Sequence, residues 1–154
     1  MYEPLLFIHS WVRWVVLFAG LYLVVRYSLA ARANRPWNGG DQHLLWAFDQ
    51  SFGYQFLFGL TLWAGMSPWT KAFFQDPVGS LENPFVFFWS LRHPLTMFVA
   101  IGVFHMMKAK ARRLEGAARF KKLAVTIALT LVIVLSAIPW PWMDVGRAWI
   151  RGLS

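Results

Sequence analysis

Four long apolar runs, at about Leu5–Leu29, Leu44–Met66, Phe85–Met107 and Leu123–Trp142, constrain this chain more than any other feature. A helical bilayer crossing takes roughly 20 apolar residues. The 154 residues therefore hold four crossings and short connections, with no room for a separate soluble domain. Composition agrees: only 14% of the residues are charged, where a soluble domain carries about 25%, and the 58% that are hydrophobic exceed what a chain this small can bury. The expected fold is all-α, an integral membrane four-helix bundle forming a single transmembrane domain over residues 1–154. Intrinsic disorder and nucleic-acid reading are excluded. With no cysteine, so are disulfide scaffolds and thiolate metal sites.

The cations sort by side. Arg26, Arg32 and Arg35 cluster at the first connection. Lys108, Lys110, Arg112, Arg113, Arg119, Lys121 and Lys122 cluster at the third, which puts ten of the fifteen Lys and Arg residues on one side. The other side has Lys71, Arg147 and Arg151. The positive-inside rule makes the basic side cytoplasmic, which predicts a multi-pass protein of the bacterial inner membrane with both termini on the outer, periplasmic side. The formal charge of +8 is then topological and implies no nucleic-acid partner. The first run lacks a basic n-region and is too long for the apolar part of a signal peptide, so it reads as a retained helix.

Between the second and third runs, Pro68, Pro77, Gly79 and Pro84 interrupt an aromatic-rich outer connection. Pro94 disfavours helix at His93 and leaves the start of the third helix between Pro84 and Pro94. After Pro139-Trp140-Pro141-Trp142 a short interfacial helix is expected over 144–153, with Trp149 and Ile150 in lipid.

Ionisable groups inside membrane spans are costly and mark functional sites. Here they are His9, Arg13, Asp49, Arg92, His93 and His105. No carboxylate lies near the middle of a span, which argues against a proton pump; Asp49, a turn inside the cytoplasmic end of the second helix, reads as solvated or capping. His9 and His93 approach the same outer level from different helices, roughly 6 Å deep at 1.5 Å per residue. Two imidazoles at one level, apolar walls and nearby cations are what an iron porphyrin needs inside a helix bundle. Arg13, one turn from His9, and Arg92, beside His93, are the candidate partners for its propionates. Arg13 lies deeper than His9, which makes Arg92 the easier of the two. His105 is twelve residues beyond His93, about 18 Å along the helix, and cannot share a haem with His9. Its only histidine partner on that side is His43, which is shallow, so a bond to Asp49 competes with a second, inner haem.

His9-Ser10 with Arg13, Gln55 with Gly59-Leu60, Arg92-His93-Pro94-Leu95-Thr96-Met97, His105 before Lys108-Ala109-Lys110, and Ile138-Pro139-Trp140 together resemble a small bacterial four-helix membrane family of cytochrome b-like proteins. The resemblance extends over nearly the whole chain. It implies a b-type haem protein, with the family's histidines at His9, His93 and His105. The chain departs from the pattern at Gly53, where the family carries a histidine in helix two. Without that residue the resemblance implies one outer haem and no inner one.

The expected function is electron transfer by a b-type haem protein with His9 and His93 as axial ligands to the iron, acting as subunit or partner of a quinone-linked respiratory assembly. Two imidazoles leave iron six-coordinate, which suits electron transfer over oxygen binding. Two rivals remain: a haem-free structural or accessory subunit that packs against other membrane proteins, and a quinone-reactive oxidoreductase with Arg13 and His9 at the substrate.

Overall fold

A computed structural model describes residues 2–150 and 152, and all regular structure among them is helical. Four long helices carry the fold. The first, α1, spans Tyr2–Arg32; α2 spans Gly39–Thr61 and continues through a π-helical turn, Leu62–Met66. Short helices α3 (Pro68–Gln75) and α4 (Pro77–Glu82) cross the connection. The third long helix is composite, with α5 (Pro84–Phe87), a π-helical turn Phe88–Arg92 and α6 (His93–Ala111) in series. The fourth, α7, spans Gly116–Ser136. Tyr2–Arg32 and Pro84–Ala111 are each long and apolar enough to cross a membrane.

Local chemistry sets the breaks. Asn34, at φ 48°, takes the left-handed conformation that ends α1. The Asn38 side chain accepts from the Asp41 N–H at 3.0 Å while Asp41 accepts from the Asn38 N–H at 3.2 Å, a reciprocal cap that starts α2. Ser67, Asp76 and Asn83 cap α3, α4 and α5, each followed by proline in the first helical turn.

Pro94 neither breaks the third helix nor begins it. Proline has no N–H to offer the carbonyl four residues back, that of Ser90. The Trp63 indole donates to this carbonyl instead, at 2.7 Å. The chain meanwhile widens through the π turn, with the His93 N–H reaching back to the Phe88 carbonyl.

Around the ring, α1 touches α7 and α2, and α6 touches α7 and α2. Tyr27, Phe48, Phe104 and Phe120 fill its centre, fully buried, with Phe48 and Phe104 edge-to-face at 5.3 Å. Gly20 is the close-packing point: a Cβ there would come within 2.9 Å of Leu131 on α7 and 3.0 Å of Phe48 on α2. The His9 face of α1, continued through Arg13, Val16 and Gly20, therefore serves helix packing at Val16 and Gly20, both buried.

The final segment differs from expectation. Helix α7 stops at Ser136, short of Trp142, because Pro139 and Pro141 cannot continue its ladder. The short helix expected over 144–153 is absent over 144–150, which form turns and bends; residues 151, 153 and 154 lie outside the described residues. The segment folds back as a strap along α1. The Trp149 carbonyl accepts from Arg13 Nη2 and from the Trp14 indole, each at 3.1 Å, and the Trp149 and Trp14 rings stack at 5.9 Å.

Candidate functional site

Where α1, α2, α6 and the end of α7 meet, they leave a cavity of about 120 Å³ that opens at its mouth. The N-terminal turns of α1, the C-terminal turns of α2 and the start of α6 bring His9, Gln55, Gly59 and His93 to its wall. The His9 and His93 rings lie 6.5 Å apart, centre to centre, at 80° to one another. Residues 84 apart in sequence thus share one level of the bundle, as their matched depth predicts.

Each imidazole is held by a neighbouring helix. His93 Nδ1 is 2.7 Å from the Ala137 carbonyl at the end of α7. A carbonyl only accepts, so Nδ1 carries the proton and Nε2 keeps its lone pair. His9 meets α2: its Nε2 lies 3.3 Å from Gln55 Nε2, and its ring covers Gly59, where a Cβ would come within 2.9 Å of His9 Cε1. The other half of each contact has no partner, since His9 Nδ1 and Gln55 Oε1 are both buried without one. Turning the Gln55 amide over exchanges its N and O but still leaves one ring nitrogen and one amide atom unmatched. Buried polar atoms are rarely left so. Two more unmatched atoms, Arg13 Nε and Trp89 Nε1, belong to residues lining the same cavity.

The arginines divide differently from expectation. Arg13 does line the cavity and is tied to the strap. Arg92 does not: it is exposed and its guanidinium rests over Phe88 at 5.7 Å. Adjacent residues on an α-helix point about 100° apart, so with His93 turned inward Arg92 turns away. Arg147, counted in the sequence only as an outer-side charge, takes the place by the cavity and lies over the Trp89 indole at 4.4 Å. The signal for it was a single cation in a tryptophan-rich stretch behind a Pro-Trp-Pro turn.

The other two histidines and Asp49 lie at the opposite end. His105 Nδ1 is 3.8 Å from Asp49 Oδ1, and Lys108 Nζ is 2.5 Å from Asp49 Oδ2. Asp49, read as solvated or capping, is an interhelical partner instead. His43 is exposed in the first turn of α2, its Nδ1 2.7 Å from the Gly39 carbonyl. At Gly53 a Cβ would meet nothing within 4 Å. A buried carboxylate, Asp41, accepts from Arg35 at 2.7 Å and from Arg26 at 3.2 Å through one oxygen. Burial pushes its carboxyl up, but the bonds from Arg35, the Asn38 backbone and Arg26 outweigh this and hold it below the ordinary 3.8. No group of three or more metal-ligating His, Asp or Glu side chains exists among the described residues.

No family model, curated protein or solved structure matches the chain.

Proposed function

We propose that this chain is a b-type haem protein of the bacterial inner membrane that transfers single electrons, with His9 and His93 as the axial ligands. The observation that carries the reading is the pair itself, two imidazoles on facing helices with ring centres 6.5 Å apart beside a mostly apolar cavity. An atom bonded to both rings at roughly 2 Å from each nitrogen separates ring centres by about 6 Å. The residues fit the group in three further respects. The Ala137 carbonyl orients His93 with its Nε2 lone pair free, the second contact that haem and metal histidines need. His9 has a ring nitrogen without a partner. The cavity wall includes Leu6, Val16, Phe52, Met97 and Val134, which exclude water. Haem, when bound, would be held by His9 and His93 and would supply one-electron chemistry there.

In this reading all four long helices cross the bilayer, with both termini outside. Supporting it, each helix turns large apolar side chains outward: Phe18 on α1, Leu57 on α2, Val99 on α6 and Val132 on α7 are all more than half exposed. The basic ends of α1 and α6 then face the cytoplasm. With one redox centre near the outer end, the chain needs a partner subunit or quinone-linked assembly to move electrons onward.

The test is the absorption spectrum of the detergent-purified protein, oxidised and then dithionite-reduced, from cells supplied with haem. A Soret band and a reduced b-type α band are expected, both lost in His9→Ala and in His93→Ala and both kept in His105→Ala. Absence of the bands from the unaltered protein, or their loss only in His105→Ala, sinks the proposal.

A further inference from the structure

We propose that Arg147 and Arg13, together with the Trp89 indole, form a carboxylate-binding clamp at the mouth of the His9–His93 cavity. The clamp rests on the haem reading, in which the carboxylates are the two propionates of the porphyrin, and it assigns them to the C-terminal strap in place of Arg92.

Four observations converge. First, the residues described along the cavity include two arginines and two histidines and no Asp or Glu. A half-buried guanidinium facing apolar walls is costly unless an anion meets it. Second, Arg13 is anchored but incompletely used. Arg13 Nη2 donates to the Trp149 carbonyl, while its Nε is buried with no partner. Third, the Arg147 guanidinium lies 4.4 Å over Trp89, whose Nε1 is also buried with no partner, so a charged fork and an indole donor sit side by side. Fourth, the strap is built to hold Arg147 there. A Cβ at Gly146 would run into the backbone carbonyls of Trp140 and Met143, and the Arg147 N–H bonds the Pro139 carbonyl at 3.0 Å. Arg147 is thus fixed two residues from Trp149, the residue that engages Arg13.

Separate guanidinium and indole donors suit carboxylate oxygens, which accept such bonds strongly out of water. The clamp also accounts for the depth of Arg13. Although it lies a turn deeper than His9, the strap reaches down along α1 to meet it and leaves Nε to serve the cavity.

The experiment uses the full chain in detergent, prepared without haem. It is titrated with iron protoporphyrin IX, with its dimethyl ester, and with the metal-free forms of both, following absorbance and tryptophan quenching. The free acid should bind at least about tenfold more tightly than the ester, with or without iron, as expected for lost charged hydrogen bonds. Arg147→Gln and Arg13→Gln should each shrink that ratio by weakening the acid, and Arg92→Gln should leave it unchanged. Equal binding of acid and ester by the unaltered protein overturns the clamp, and so does collapse of the ratio in Arg92→Gln alone. Abolition of the preference by phosphatidylglycerol but not phosphatidylcholine also overturns it, by giving the site to a lipid phosphate. If the metal-free acid keeps its advantage while iron binding ignores His9 and His93, the axial assignment falls and the clamp stands.

Discussion

The imidazole of His9 on α1 lies directly against Gly59 on α2, so closely that a Cβ at position 59 would stand 2.9 Å from His9 Cε1. The missing side chain of one helix thus sets the ring position of another. Gly59→Ala should displace His9 and, on the proposed haem reading, weaken haem retention while leaving both imidazoles in the chain. Gly53→Ala, six residues earlier on α2 where a Cβ meets nothing, should leave the site intact and stabilise α2 by up to about 1 kcal/mol through helix propensity. Haem content and thermal midpoints of the two variants check this.

Pro94 and Trp63 form a compensating pair. Trp63→Phe leaves the Ser90 carbonyl without its 2.7 Å donor and should cost about 1–3 kcal/mol. In a Pro94→Ala background the restored N–H can serve that carbonyl, so Trp63→Phe should cost less. A double-mutant cycle in denaturant measures the coupling, and strict additivity would refute the compensation.

Asp41 makes stability depend on acid. Its carboxyl is held below the ordinary value in the fold, so its contribution is complete above the unfolded value and is lost as pH falls through the folded one. The thermal midpoint should therefore drop on acidification below about pH 4, and Asp41→Asn should flatten that part of the curve. The same variant should lose roughly 3 kcal/mol at neutral pH, since it strips the shared anion from Arg26 and Arg35.

At the Asp49–Lys108 pair, removing one partner strands the other. Lys108 exposes 8% and Asp49 17% of its side chain, so each single change, Asp49→Asn or Lys108→Met, should cost less than the roughly 3–5 kcal/mol of a fully buried pair. The double variant should be more stable than the sum of the singles implies. His105, only 3.8 Å from Asp49 and half exposed, should matter little to folding. Unfolding curves of the four proteins decide the matter.

Much of this was legible in the chain. Apolar runs and breaker residues announce helices because their periodicity is local. Matched depth of His9 and His93 follows from counting residues inward from the outer, N-terminal ends of two helices that run the same way. The limits of reading were rotational and terminal. Arg92 and His93 are neighbours in sequence, yet a helix turns them about 100° apart, and the sequence alone did not say which one faces inward. Gln55 stood in the sequence only as part of a motif with Gly59-Leu60, and its contact with His9 appears only in the fold. Asp49 looked solvated because its partner, Lys108, is 59 residues away.

The sequence by itself determined that the chain is helical, where its long helices fall, and which histidines share a level, since hydropathy and rise per residue act along one helix at a time. Only the tertiary structure decided that Arg147 and not Arg92 stands at the cavity, that Gly59 seats His9, and that residues 137–150 form a strap and not a helix. Those outcomes depend on helix rotation and on long-range bonds such as Arg13 to Trp149, 136 residues apart, which no local pattern encodes.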